Sequence, residues 1–112
     1  IASILGFNVS KGVAAYSVAK AGVVQLTKAL AIELAFKGVR VNAIAPGFVV
    51  TEINDEYLKS RPDMTRNIPV GRFGEIKDID GALLLLTSEA GAFMAGATVV
   101  VDGGQVLTIT GA

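Results

Sequence analysis

Apolar runs in this chain are separated by polar or glycine-containing breaks, and the order of the two predicts its elements. Ile1 to Leu5 is an apolar run halted at Gly6, the pattern of a buried strand end. Residues 7–13, with Asn8, Ser10, Lys11 and Gly12, predict a loop. From Ala14 to Lys37 alanine, valine, leucine and isoleucine dominate and no proline intervenes. One long helix is expected there, with Gly38 at its C-terminal cap. So few polar residues lie in it that it should be covered on more than one side. Val39 to Ala45 predicts a strand stopped by Pro46-Gly47, and its successive apolar residues suit a parallel strand buried on both faces. Thr51 to Asn67 is the one markedly polar stretch, a mobile surface segment with a short helix. An irregular connector follows from Ile68 to Gly74. Ile76 to Ser88 predicts a second helix with Ile79, Ala82, Leu83 and Leu86 on its covered face. Ala97 to Val101 predicts a third strand, closed by a turn at Asp102-Gly103-Gly104. Strand, helix, strand, lid, helix, strand is the order of an α/β domain with a parallel sheet and right-handed crossovers. No internal repeat, low-complexity tract or domain boundary is visible, so residues 1–112 read as part of a single domain.

Composition changes this picture in one respect. Hydrophobic residues make up 52% of the 112 and mean hydropathy is +0.58, against about 45–50% apolar in a typical soluble domain. A chain this short still exposes much of its surface, so some apolar area should be covered by something outside the sequence. The opening Ile1-Ala2-Ser3-Ile4 lacks an initiator methionine, and a piece of a longer protein is the expectation. Ten basic and ten acidic residues give zero net charge with no basic block. That is no footprint for a nucleic acid or an anionic membrane. No apolar run approaches the ~20 residues of a membrane span, and no segment has the pattern of a signal peptide. Cysteine is absent, which excludes disulfides and thiolate chemistry and is compatible with a cytoplasmic protein. Histidine is absent too, which excludes a Ser-His-Asp triad and a histidine-ligated metal in this segment; no metal site is expected.

The candidate chemistry begins at Tyr16-Ser17-Val18-Ala19-Lys20, near the start of the long helix. Residues four apart share a helix face with Cβ atoms about 5–6 Å apart, so the phenol of Tyr16 and the ammonium of Lys20 can reach one small volume. A tyrosine hydroxyl ordinarily titrates near pH ~10, and bringing it about three pH units lower takes roughly 4 kcal/mol of differential interaction. A close, partly desolvated cation and a helix N-terminus can supply much of that. Lys20 therefore reads as the tuner and Tyr16 as a general acid/base. A half-buried tyrosine beside a solvated lysine would leave the same spacing.

In open parallel sheets ligands bind beyond the carboxyl ends of the strands, and three features fall at that edge. They are Ser3, the start of the Tyr16 helix, and the segment from Pro46-Gly47 to Thr51. With Ser3 thirteen positions before Tyr16, the run Tyr16 to Gly22, the run Val41 to Thr51, Arg72-Phe73-Gly74, and Val101 to Gly104, the chain resembles the C-terminal half of a short-chain dehydrogenase/reductase. Almost all 112 residues take part in the resemblance, and its five motifs occur in order.

That resemblance implies a Rossmann-type doubly wound parallel sheet and an NAD- or NADP-dependent oxidoreductase that interconverts a carbonyl and a secondary alcohol. Ser3 would hydrogen-bond the substrate oxygen, and Tyr16 would exchange a proton with it. Lys20 would hold the nicotinamide ribose and favour the phenolate. Pro46, Gly47, Val49 and Thr51 would line the nicotinamide. The polar stretch 51–67 would be the substrate loop, with a sugar acid or polyol, a steroid-like alcohol or a 3-oxoacyl thioester as substrate. Assembly as a homo-oligomer, commonly a tetramer, is implied through the long helix and the last helix and strand. The glycine-rich pyrophosphate turn and the residue that would choose between NAD and NADP are not in these residues, nor is the asparagine of the proton relay. Ile76 replaces a frequent proline and Ala95 a frequent threonine, departures remote from the chemistry. Two other classes remain: a noncatalytic dinucleotide-sensing scaffold, which would not need Ser3, Tyr16 and Lys20 together, and an inactive truncation.

Overall fold

The computed structural model describes residues 1–108, and from the long helix onward the elements follow the predicted order with shorter strands. Helix α1 runs Ala14–Leu34 and tightens into a 3-10 turn at Ala35–Lys37. Gly38 ends it with φ 76°, the left-handed conformation that glycine adopts without a Cβ clash. Strands β1 (Ala43–Pro46) and β2 (Thr98–Val101) pair in parallel, from Ala43 opposite Thr98 to Pro46 opposite Val101. Between them lie α2 (Asp55–Lys59), a 3-10 helix at Pro62–Asn67, and α3 (Asp80–Thr87), entered through a 3-10 turn at Ile76–Ile79. A parallel pair connected through helices is the α/β arrangement expected of a portion of a doubly wound sheet.

Three expectations are corrected. Ile1 to Leu5 is not a strand. Ala2 donates one backbone hydrogen bond to the Ile44 carbonyl at 2.8 Å, and the hydroxyl of Ser3 then accepts from Leu5 N–H, turning the chain into a 3-10 helix at Ile4–Gly6. Nor does β1 begin at Val39. Before Ala43 the Asn42 side chain takes over the ladder's role, donating to Met94 O and accepting from Ala97 N–H, both at 3.0 Å. Arg40 donates from one guanidinium nitrogen to the carbonyls of Leu86 and Gly91, at 3.1 and 2.7 Å. Finally, Leu83 is 49% exposed rather than covered.

The core is small in every sense. Ala2, Val24, Ala43 and Ala45 form its centre where α1 crosses β1, with Val23 against them. Among the described residues no large side chain is fully buried, whereas Ile32, Phe36, Leu84 and Phe93 stand mostly in solvent. No helix among them is long and apolar enough to cross a membrane.

Candidate active site

Both strands point their carboxyl ends at one region, and the loops leaving them build a cleft of about 620 Å³. Its walls include Ser3, Tyr16, Gly47 and Val49, which the sequence placed at this edge, together with Leu58 and Met64 from the 51–67 stretch. A volume of this size falls in the ~300–1,000 Å³ range of small-molecule sites. A second cavity of about 190 Å³ lies against Phe48 and Val49, lined also by Arg72, Asp78 and Asp102, and contains neither Ser3 nor Tyr16.

Helical spacing accounts for the centre of the larger cleft. Tyr16 and Lys20 lie one turn apart near the start of α1, and the Lys20 ammonium stands 5.5 Å from the centroid of the Tyr16 ring. A cation within about 6 Å of an aromatic face is attracted to it. Lys20 also donates to the Ile1 carbonyl at 3.1 Å, which anchors it beside the incoming chain. Tyr16 is 47% exposed and open to a ligand. Ser3, in contrast, is buried, and its oxygen already accepts from Leu5 N–H at 3.2 Å. A hydroxyl that accepts one bond can still donate another.

Pro46, Gly47, Val49 and Thr51 leave the end of β1 as a tightly held segment. Gly47 N–H donates to Val101 O at 3.0 Å. The absence of a side chain at Gly47 serves packing against the following loop: a Cβ there would stand 2.7 Å from Asp102 Cβ and 2.9 Å from Gln105 Oε1. Gly74 brackets the segment further on, donating to Phe48 O at 2.8 Å and accepting from Val50 N–H at 2.9 Å. Lys20, Pro46 and Thr51 do not themselves line the cleft.

Several residues that shape the site carried no sequence expectation of a role there. Gln105 is buried, accepts from Phe48 N–H at 3.2 Å and lines the cleft. Asn54 bonds to the main chain of Val49 and Thr51. Asn8 lines the cleft and ties the first loop to Val106 O at 2.7 Å. The one available signal was their type: polar residues beside apolar runs or glycine turns.

Two surface ion pairs shift the titration of their own members. Arg72 grips Asp78 with both terminal nitrogens, at 2.8 and 3.3 Å, and Glu75 N–H donates to the same carboxylate. These bonds hold the Asp78 carboxyl down at about 2. In the lid the Arg61 guanidinium lowers Asp63 in the same way, and the aspartate raises Arg61. The Asp102 carboxylate accepts from Gly104 and Val106 N–H, so the Asp102-Gly103-Gly104 motif is the expected turn.

A profile of the family described as enoyl-(acyl carrier protein) reductase matches residues 1–105. A short-chain type dehydrogenase/reductase from Mycobacterium ulcerans superposes with a TM-score of 0.90 at 34% identity, over 96% of this chain and 40% of that one. The chain belongs to the short-chain dehydrogenase/reductase family. Among the family's curated members it is 44% identical to a 3-oxoacyl-[acyl-carrier-protein] reductase of Synechocystis over 108 residues, 96% of this chain and 43% of that protein. A family protein of Agrobacterium tumefaciens assigned as a 2-deoxy-D-gluconate 3-dehydrogenase, with NADP bound, superposes with a TM-score of 0.88 at 43% identity. That match covers 95% of this chain and 44% of the other. The chain spans less than half the length of the curated relatives it matches. Its fold is accordingly a portion of the family's Rossmann-type sheet.

Proposed function

We propose that these residues supply the C-terminal part of one dinucleotide-binding domain, in an NAD(P)-dependent oxidoreductase that interconverts a carbonyl and a secondary alcohol. The observation that carries this reading is the Lys20 ammonium 5.5 Å from the Tyr16 ring, at a cleft whose wall also includes Ser3. A carbonyl oxygen gains negative charge as it is reduced, so donors and a proton source are needed where that oxygen sits. Ser3 donates a hydrogen bond to it and Tyr16 passes it the proton, or takes one back in oxidation. Lys20, beside the Tyr16 ring, hydrogen-bonds the ribose of the cofactor.

The bound nicotinamide supplies or accepts the hydride. The residues present suit that group: an open cleft, hydroxyls on one wall, and Gly47, Phe48 and Val49 on another. Relatives assigned to 3-oxoacyl thioesters and to sugar acids make both substrate classes candidates. A homo-oligomer, commonly a tetramer, would cover the exposed apolar face of α1, and a cytoplasmic location is compatible with a chain that has no cysteine.

The test is made on the full-length protein, assayed with NADH and NADPH against a 3-oxoacyl thioester and a panel of keto sugar acids. Tyr16→Phe is expected to lower turnover at least ~100-fold, the usual scale of general acid–base catalysis. Comparable turnover in the variant refutes the role given to Tyr16.

A further inference from the structure

Asn54 occupies the N-cap position of α2, where an asparagine side chain ordinarily turns forward to the first free N–H groups of its own helix. Here it makes no such bond. Its side chain reaches backward instead: Oδ1 accepts from Thr51 N–H at 2.7 Å, and Nδ2 donates to Val49 O at 2.9 Å. Both halves of the amide are satisfied by the main chain of the segment leaving β1. The same residue begins the helix that brings Leu58 into the cleft wall, and Leu58 N–H closes the first helical turn onto the Asn54 carbonyl at 2.9 Å.

We propose that Asn54 is a positioning residue, a latch that fixes the Val49–Thr51 segment in its dinucleotide-facing conformation and ties that segment to the lid helix α2. The proposal rests on the function proposed above for its dinucleotide part and on hydrogen-bond geometry alone for the latch. On its other side the segment is held by Gly74, through Phe48 O and Val50 N–H. Asn54 is therefore what holds the Val49 carbonyl and the Thr51 amide, which Gly74 does not reach. Because one amide group holds both, release of the segment and displacement of α2 are a single event. A ligand resting on Val49 also favours a closed lid, and a tightly shut lid favours the ligand.

The experiment uses the full-length protein, its Asn54→Ala and Asn54→Asp variants, amide hydrogen exchange, and fluorescence titration with NADH and NADPH. Asn54→Ala should speed exchange of the Thr51 amide and of Asp55–Lys59 about tenfold, and raise the dinucleotide Kd by about tenfold, two bonds being lost. Turnover at saturating dinucleotide should stay within about threefold, because Ser3, Tyr16 and Lys20 are untouched. Asn54→Asp keeps an acceptor for Thr51 N–H but sets an oxygen against the Val49 carbonyl. It should preserve Thr51 protection and still weaken dinucleotide binding. Unchanged exchange at Thr51 in Asn54→Ala overturns the latch. A lowered melting temperature with Kd within twofold of the parent assigns Asn54 a merely structural role and overturns the positioning claim. A parent protein that binds neither dinucleotide overturns the proposed function and the dinucleotide half of this inference, while exchange still decides the latch. If Asn54→Ala fails to fold, Asn54→Leu, similar in size and lacking both the acceptor and the donor, carries both measurements.

Discussion

Gly47 shows how one residue type can answer to two demands. A Pro-Gly pair at a strand exit suggests main chain kept bare for a ligand, yet the atoms nearest to its absent Cβ belong to Asp102 and Gln105. Gly47→Ala would press a methyl group to 2.7 Å from Asp102 Cβ. It would also push Gln105 away from Phe48 N–H, leaving that donor short of its partner. Overpacking of this kind costs about 1–3 kcal/mol, and urea unfolding should show a loss in that range; an unchanged midpoint would mean that the loop after β2 gives way freely. Residues whose partners lie close in sequence were legible from the chain alone. Tyr16 and Lys20 are an i, i+4 pair, and helical geometry brings them together without tertiary help. Gln105 and Arg40 were not legible, because their partners are 57 and 46–51 positions away, and nothing local distinguishes a buried amide from a surface one.

Elements were legible where periodicity and capping agreed, and misjudged where side chains replaced the main-chain ladder. The long helix ended at Gly38 as its cap required, whereas ahead of β1 Arg40 and Asn42 bond by their side chains to carbonyls in the last turn of α3 and beyond it. The entry to α3 is held by a reciprocal box: Glu75 and Asp78 each accept from the other's backbone N–H, and Arg72 clamps the Asp78 carboxylate. This arrangement makes a prediction with a sign. Asp78 titrates at about 2 in the fold against an ordinary 3.8, so the folded state binds its proton less readily than the unfolded chain. Its contribution to stability is complete above pH ~4 and disappears as the pH falls through about 2. Arg72→Met should therefore lower the melting temperature by a few degrees at pH 7, with the gap to the parent closing between pH 4 and pH 2. Because Arg72 is more than half exposed and Asp78 partly so, added salt should narrow the gap at neutral pH as well. A gap independent of pH would assign the effect of Arg72 to packing over the connector rather than to charge.

At the scale of the whole molecule, the surface is too large for the mass. A folded monomer of 11.5 kDa exposes about 5,800 Å² by the usual scaling, whereas this chain exposes 7369 Å². Its radius of gyration is 15.0 Å, against about 13 Å for a compact domain of this length. The excess, on the order of 1,500 Å², is comparable with a standard protein–protein interface. Much of what it exposes is apolar: Val18, Ile32 and Phe36 along α1 and its extension, and Leu84 and Phe93 at and after α3. Uncovered apolar side chains grouped in this way bind partners or aggregate. The isolated 112-residue polypeptide should therefore bind an environment-sensitive apolar dye and sediment as more than a monomer at micromolar concentration. Two variants separate the surfaces, since Ile32→Asp removes apolar character from α1 and Leu84→Asp from α3. If α1 is the main associating face, Ile32→Asp alone should shift the species toward monomer; if both faces take part, only the double variant should. A monodisperse, dye-silent parent polypeptide would show instead that these side chains close over one another in solution, and the open arrangement of α1 and α3 would have to be abandoned.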